Sequence, residues 1–193
     1  MESAMALNFR TSTHLDKPDW PAALALYHRS FPEGRKPDAI VAGMFAKGMS
    51  ELHTATVESS GELAAMAVTG VIPAAGLLLI DYLAVQEHLR GNGIGRLFVH
   101  YIADWARVEM RLSGMLLEAE AEPGADNERR IRFWERCGFV LTDYVHRYKW
   151  VPETYRAMYM PFGDGMSLRA QAQDGGRSLF RHIEAFHKQA FAR

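Results

Sequence analysis

Residues 90–96 read R-G-N-G-I-G-R, and they join an apolar, strand-like run to the most strongly amphipathic stretch of the chain. A strand that must pass through three alternating glycines into a helix is confined to a tight turn at the helix N-terminus. There several backbone N–H groups lack an intrahelical acceptor and converge on one point, and the helix dipole adds partial positive charge. Arg90 and Arg96 flank the turn with full charges suited to phosphate oxygens. The segment therefore reads as an anion site, and the first expectation is a phosphorylated ligand.

The pattern around this turn is that of a mixed fold. Residues 6–15 alternate weakly and predict a strand. Asp19 is placed to cap a helix through Phe31, with Pro21 in its first turn and Pro32 and Gly34 at its end. A shorter helix is expected over 38–49. Three strand candidates follow at 52–58, 62–71 and 76–85, with connections short enough for an antiparallel meander. Beyond the glycine turn, Ile94, Leu97, Phe98, Tyr101, Ile102, Trp105 and Val108 recur at helical spacing. Residues 114–122 then read as a strand, 127–137 as a helix and 138–150 as a strand. That order suggests a βαβ unit with a parallel pair. Residues 152–176 look irregular with one or two short strands. Residues 178–191 form an amphipathic helix with Leu179, Ile183, Phe186 and Phe191 on its apolar side. The class is α/β or α+β with a mixed sheet.

Composition removes several function classes. A chain of 193 residues is most simply one domain, 1–193, with room for a sizeable core. Its formal net charge of -1 argues against charge-driven binding of nucleic acid or an anionic membrane. The most apolar stretch, residues 71–80, is broken by Pro73 and Gly76 and is too short to span a bilayer. The N-terminus lacks a basic segment followed by an apolar one, so no signal peptide is expected. One cysteine, Cys137, excludes an internal disulfide framework and suits a reducing cytoplasm. The histidines are scattered, with His182 and His187 the closest pair, and no zinc-type spacing appears, so no metal is expected.

The glycine turn lacks the G-x-x-x-x-G-K-[ST] spacing of a P-loop and the G-x-G-x-x-G of a dinucleotide fold, because its glycines fall at Gly91, Gly93 and Gly95. It also follows a meander, whereas a Rossmann fingerprint sits near the start of a doubly wound sheet. What DYLAVQEHLRGNGIGRLF does resemble is the signature of the GNAT superfamily of acyl-CoA-dependent N-acyltransferases. That signature is a strand ending in L-x-V, then [RQ]-x-x-G-x-[GA] opening a long helix. Arg90, Gly93 and Gly95 match the fixed positions, and Leu83, Ala84 and Val85 match the strand end. A second block, NERRIRFWERCGF, is similar to the family's N-x-x-[AS]-x-x-F-Y-x-x-x-G-F through Asn127, Phe133, Gly138 and Phe139. The likeness spans roughly residues 52–151, leaving a C-terminal strand and helix at 152–193.

The resemblance implies a mostly antiparallel mixed sheet of about seven strands flanked by helices and splayed between the fourth and fifth. It implies acetyl-CoA as co-substrate, with the pyrophosphate on the N–H groups of Arg90, Gly91, Asn92, Gly93, Ile94 and Gly95, and Arg96 beside them. The pantetheine arm would pair with the strand edge at Leu83, Ala84 and Val85, and an N–H near Val85 would face the oxyanion. Asn127, Arg130 and Trp134, at i, i+3 and i+7, would meet the cofactor from one helix face. Arg129, Arg130, Arg132 and Arg136 are within range of the ribose phosphate, but for most of them a solvated helix face is the preferred reading.

Catalysis would fall to a few side chains. The family often has a tyrosine after Phe133 as general acid toward the departing thiolate. Here the residue is Trp134, whose indole has no proton to give near neutral pH. Tyr144, Tyr148 and Tyr82 are the phenols near the expected cleft, and Tyr144 is preferred. The acceptor amine must lose a proton before it attacks, and Glu118 and Glu120, on one face of their strand, are the base candidates ahead of Asp81 and His53. Cys137 reads as a packed thiol. Met158, Tyr159, Met160 and Phe162 are assigned to the acceptor pocket wall.

Taken together, the sequence reads as an N-acetyltransferase that moves an acetyl group from acetyl-CoA to a small-molecule or peptide amine by direct attack in a ternary complex. A catalytically weak acyl-CoA sensor or scaffold of the same fold is the alternative, motivated by Trp134. A second copy of the chain is a candidate partner for the C-terminal helix.

Overall fold

In the computed structural model, residues 5–15 and 19–192 are described. The elements follow as β1 (Leu7–Ser12), α1 (Asp19–Ser30), α2 (Asp38–Ala46), β2 (Glu51–Val57), β3 (Leu63–Ile72), β4 (Leu77–Val85), one 3-10 turn (Glu87–Leu89), α3 (Ile94–Val108), β5 (Gly114–Glu120), α4 (Ala125–Arg136), β6 (Val140–Arg147), β7 (Thr154–Pro161), α5 (Met166–Gln171) and α6 (Arg177–Phe191). The strands form a mixed, mostly antiparallel sheet in the order β1-β2-β3-β4-β5-β7-β6. No helix among the described residues is long and apolar enough to cross a membrane.

One parallel pair interrupts the antiparallel order. β4 and β5 are registered at Leu77↔Gly114, Leu78↔Met115 and Leu79↔Leu116, and β4 runs on to Val85 without a further registered partner in β5. The strand–helix–strand crossing is thus β4–α3–β5. The parallel neighbours expected from 114–122 and 138–150 do not form, because β7 lies between β5 and β6 and is antiparallel to both. Tyr155 and Arg156 are half-buried and the next four residues are buried, so β7 carries the near-continuous burial of an interior strand. With no period-2 alternation and a proline at its end, the segment in which one or two short strands were expected does not reveal from sequence that one of them is a full interior strand.

The chain divides into two compact units, residues 1–70 with 80–102, and residues 71–79 with 103–193. In the first, α1 buries Ala23, Leu26 and Tyr27, at i, i+3 and i+4, in one cluster with Val41 and Phe45 of α2 and the strand residues Leu52, Met66 and Val68. Phe98 of α3 is fully buried, and Phe9 of β1 stacks on Tyr101 with ring centroids 4.9 Å apart. The buried stripe of α3 is Ile94, Phe98, Val99, Ile102, Ala103 and Ala106, while Leu97 and Val108, read from spacing as core, are exposed. They sit at the edges of the stripe, where helical periodicity alone does not discriminate.

In the second unit α6 packs on β5 and β7, burying Leu179, Phe180, Ile183, Phe186 and Ala190. Phe191, assigned to that side from sequence, is exposed at the helix end. α4 packs on β5 and β6 and ends where Gly138 takes a φ of +102°, with the Gly138 and Phe139 N–H groups closing on the Glu135 and Trp134 carbonyls. This left-handed stop after the last turn is the physical reason for a glycine between Cys137 and Phe139.

Candidate functional site

The first unit carries the glycine turn. The 3-10 turn after β4 uses up the Arg90 N–H, which donates to the Glu87 carbonyl at 3.2 Å. Gly91 and Gly93 then take φ of +85° and +77°, a left-handed region that costs a residue with a Cβ roughly 1 kcal/mol or more. A Cβ built on either would meet nothing within 4 Å, so backbone conformation, not crowding, calls for glycine, and the space beside the turn is open. The first backbone bond of α3 runs from the Leu97 N–H to the Gly93 carbonyl at 3.1 Å. The N–H groups of Ile94, Gly95 and Arg96 therefore have no acceptor within the helix, at the positive end of a 15-residue dipole. The turn thus fits a pyrophosphate, with one amendment to the sequence reading. Arg90 offers no amide, and its Nε donates to the Val85 carbonyl at 3.2 Å, steadying the strand end. Asn92 likewise turns inward, its Nδ2 donating to the Leu89 carbonyl at 3.3 Å.

The weaker base candidates of this unit are already committed. Asp81 grips Lys36 through both carboxylate oxygens, at 2.7 and 2.8 Å, with both side chains buried. The Tyr82 hydroxyl accepts the Lys36 N–H at 2.9 Å, and burial drives its pKa well above the ordinary phenol value, with the Asp81 charge adding to the effect. His53 is fully buried between the Thr11 and Thr69 hydroxyls, at 2.7 and 2.9 Å, and burial lowers its pKa from 6.5 to about 3. It is a neutral core histidine.

In the second unit the pleat of β5 puts Glu118 and Glu120 on one face, half-buried. Their partners differ in kind. Glu120 pairs with a cation, Arg130 of α4, at 3.4 Å. Glu118 takes the Tyr148 hydroxyl on Oε2 at 2.7 Å and the His187 Nε2 on Oε1 at 2.9 Å. Burial, reinforced by the Glu118 charge, raises the Tyr148 pKa far above 10, so this phenol is a donor that keeps its proton. Tyr155, opposite Glu120 in the register, is raised to about 12, by burial first and then by Glu118 and Glu120. Tyr144 is not bonded to either carboxylate. Its hydroxyl lies 3.3 Å from the His146 Nδ1, and the Arg177 guanidinium sits 4.6 Å over its ring. Alternation along β6 puts Tyr144 and His146 on one face, and Tyr148, the next at that spacing, follows just past the strand end, a pattern the sequence held. Nothing local marked His187.

No residue of α4 is buried, and the second block pairs mostly with its own neighbours along the chain. Trp134 packs edge-to-face against Phe133 and Phe139, with centroids 5.0 and 5.3 Å away. Asn127 donates to the Glu122 carbonyl at 3.0 Å, while Arg129 and Arg132 pair along their own helix with Asp126 and Glu128. Cys137 is buried. Met158, Tyr159 and Met160, assigned from sequence to a pocket wall, are buried in β7 and belong to the core.

The profile of the Acetyltransferase (GNAT) family matches residues 20–139, well over half of the chain. The protein is a member of the GNAT family. Solved GNAT structures share its fold. The ribosomal-protein-S18-alanine N-acetyltransferase of Escherichia coli aligns with a TM-score of 0.59 at 22% identity, over 82% of this chain and 99% of that one. A spermidine N-acetyltransferase variant from Vibrio cholerae gives 0.64 at 13%, over 84% and 98%. A Bacillus subtilis acetyltransferase in complex with CoA gives 0.60 at 16%, over 82% and 100%. No curated protein matches the sequence. Membership makes the chain an acyltransferase that draws on acetyl-CoA, and the glycine turn at α3 is the feature of this GNAT protein suited to the carrier's phosphates.

Proposed function

We propose that this GNAT protein is an N-acetyltransferase acting on a primary amine by direct attack, without an acyl-enzyme. The observation that carries the reading is the open turn at the start of α3, where three amides in sequence lack helical acceptors beside a strand end. Ile94, Gly95 and Arg96 take the pyrophosphate on their N–H groups, with Gly91 and Gly93 shaping the turn. Leu83 and Val85 offer strand-like backbone pairing to the pantetheine arm, and Ala84 packs inward. Acetyl-CoA supplies the thioester that the amine attacks.

In the second unit, Glu118 removes the proton from the acceptor ammonium. Its donors are a neutral phenol and an imidazole, and its side chain stays 23% exposed. Glu120, paired with Arg130, attracts the cationic acceptor. Tyr144, in reach of His146 and under Arg177, is the phenol assigned to the thiolate. The acceptor is a small-molecule or peptide amine, in keeping with relatives named for spermidine and for a ribosomal protein.

Trp134 favours the second reading, an acyl-CoA sensor, because the residue that often serves as acid is here an indole within an aromatic cluster. The two are separated by titrating acetyl-CoA and screening amines by thiol release. Turnover with any amine supports the enzyme. Tight acetyl-CoA binding with no acceleration by any amine would establish the sensor instead.

A further inference from the structure

We infer that His187, on the C-terminal helix, is a positioning residue for acyl transfer that acts by orienting the Glu118 carboxylate; this rests on Glu118 being the proton acceptor proposed above. The two residues lie 69 positions apart, so no local pattern brings them together. Packing of α6 on β5 does. His187 Nε2 meets Oε1 at 2.9 Å while the Tyr148 hydroxyl meets Oε2 at 2.7 Å, so both oxygens are held, from two different directions in the chain. Held on one oxygen, a carboxylate still swings about its last torsion. Held on both, its plane is fixed.

The surroundings favour a strong pair. The side chains of His187 and Glu118 are 18% and 23% exposed, too buried for the screening that reduces surface ion pairs to little, yet still reached by solvent. The Tyr148 ring lies edge-on to the imidazole at 6.4 Å and to Tyr155 at 5.6 Å, and Phe186 flanks His187 at 6.0 Å. A carboxylate offers about four acceptor positions, so being gripped on both oxygens is compatible with receiving an N–H from the amine. The C-terminal helix, outside the stretch that the family profile matches, thereby contributes to the chemistry.

The test compares His187→Ala, His187→Gln, Glu118→Gln and the double variant Glu118→Gln/His187→Ala. Thiol release from acetyl-CoA is followed with the fastest acceptor among spermidine, lysine and an alanyl peptide. Glu118→Gln should lower kcat by about 100-fold or more, in the range of a lost general base. His187→Ala should lower kcat about tenfold with the acetyl-CoA KM within about twofold, as expected for one lost charge-assisted hydrogen bond. His187→Gln, whose amide N–H can reach the same oxygen, should recover to within about threefold of wild type. The double variant should be no slower than Glu118→Gln alone, since the histidine acts only through the carboxylate. An unchanged kcat in Glu118→Gln, or no turnover with any amine, overturns the base assignment and this inference with it. A slow Glu118→Gln beside a wild-type His187→Ala overturns the positioning role alone. So does equal impairment of the Ala and Gln variants, which would make the ring's packing the cause. Should His187→Ala fail to fold, His187→Gln and the Glu118→Gln pair still read the outcome.

Discussion

Glu51→Gln should change how the protein's stability depends on pH, and the amount can be worked from the buried polar chain of the first unit. Tyr101 of α3, Thr11 of β1, His53 of β2 and Thr69 of β3 are linked by contacts of 2.7 to 2.9 Å, and the Thr69 hydroxyl donates to Glu51 at 3.2 Å. With Glu51 ionised the order of donation is forced. Thr69 gives its proton to the carboxylate, accepts from His53 Nε2–H, and leaves Nδ1 to accept from Thr11. Burial raises the Glu51 pKa from 4.5 to about 7, against a smaller opposing effect of the Thr69 hydrogen bond. A carboxyl whose folded pKa is raised binds its proton more tightly when folded, so its contribution is full below pH 4.5 and is lost as pH rises to 7. At about 1.4 kcal/mol per unit the loss is about 3 kcal/mol. His53 works the other way. Its folded pKa is depressed from 6.5 to about 3, so its contribution is full above pH 6.5 and is lost as pH falls toward 3. Between pH 4.5 and 6.5 folded and unfolded chains hold one proton on this pair alike, and the two slopes cancel.

Glutamine keeps an acceptor for Thr69 and cannot ionise. Urea denaturation followed by tryptophan fluorescence at pH 4, 5, 6, 7 and 8 gives the difference in stability between variant and wild type. That difference should be flat near pH 4, open between pH 4.5 and 7, and level off about 3 kcal/mol in favour of the variant by pH 8. Any constant offset from the fit of the amide cancels in the comparison between pH values. A difference independent of pH from 4 to 8 would refute the reasoning, because Glu51 would then ionise alike in both states.

Gly93→Asp should weaken acetyl-CoA binding at least tenfold in a calorimetric titration, by placing a carboxylate where the pyrophosphate is proposed to lie; Gly93→Asn, equally tolerant of the +77° φ, should bind far better. Equal affinities in the two would remove the anion from the turn. Arg90→Ala should weaken binding by a smaller factor that shrinks with added salt, because the guanidinium already serves the Val85 carbonyl. Lys36→Met should destabilise the fold by about 3–5 kcal/mol in urea, leaving Asp81 buried without its cation, and adding Asp81→Leu should restore most of the loss. A double variant no more stable than the single would show that packing, not charge, is at stake.

The conformation of the glycine turn was legible because its information is local. Glycines at fixed spacing before an amphipathic helix encode φ and dipole in one short window, and the structure reproduces both. The meander was legible for the same reason, since short apolar runs and the turn residues between them lie side by side in sequence. What stayed hidden depends on contacts across distance. The segment of β7 suggests only one or two short strands until its insertion between β5 and β6 explains why four successive residues are buried. Leu97 and Phe191 carry the right spacing for a core, but which flank of a stripe meets the sheet is set by packing. The pairing of His187 with Glu118 has no sequence signal at all, because it arises from where α6 lands.

The strand carboxylates can nevertheless be ranked by the company each keeps. Asp81 is locked to Lys36 in a buried pair, and protonating it would leave the ammonium without its counter-charge. Glu120 is already paired with the Arg130 guanidinium, and taking a proton would give up that ion pair. Glu51 titrates near neutrality, as a base should, but it is buried and its proton path leads through Thr69 to His53, away from solvent. Glu118 alone of the four combines partial exposure with two donors that need not be charged. Such a carboxylate can take a proton from an ammonium without breaking an obligatory ion pair. The departing thiolate is a good leaving group and needs little help, so the indole at Trp134 removes less from the chemistry than losing Glu118 would. On the proposed mechanism, the residue that decides turnover is therefore on β5, not on α4.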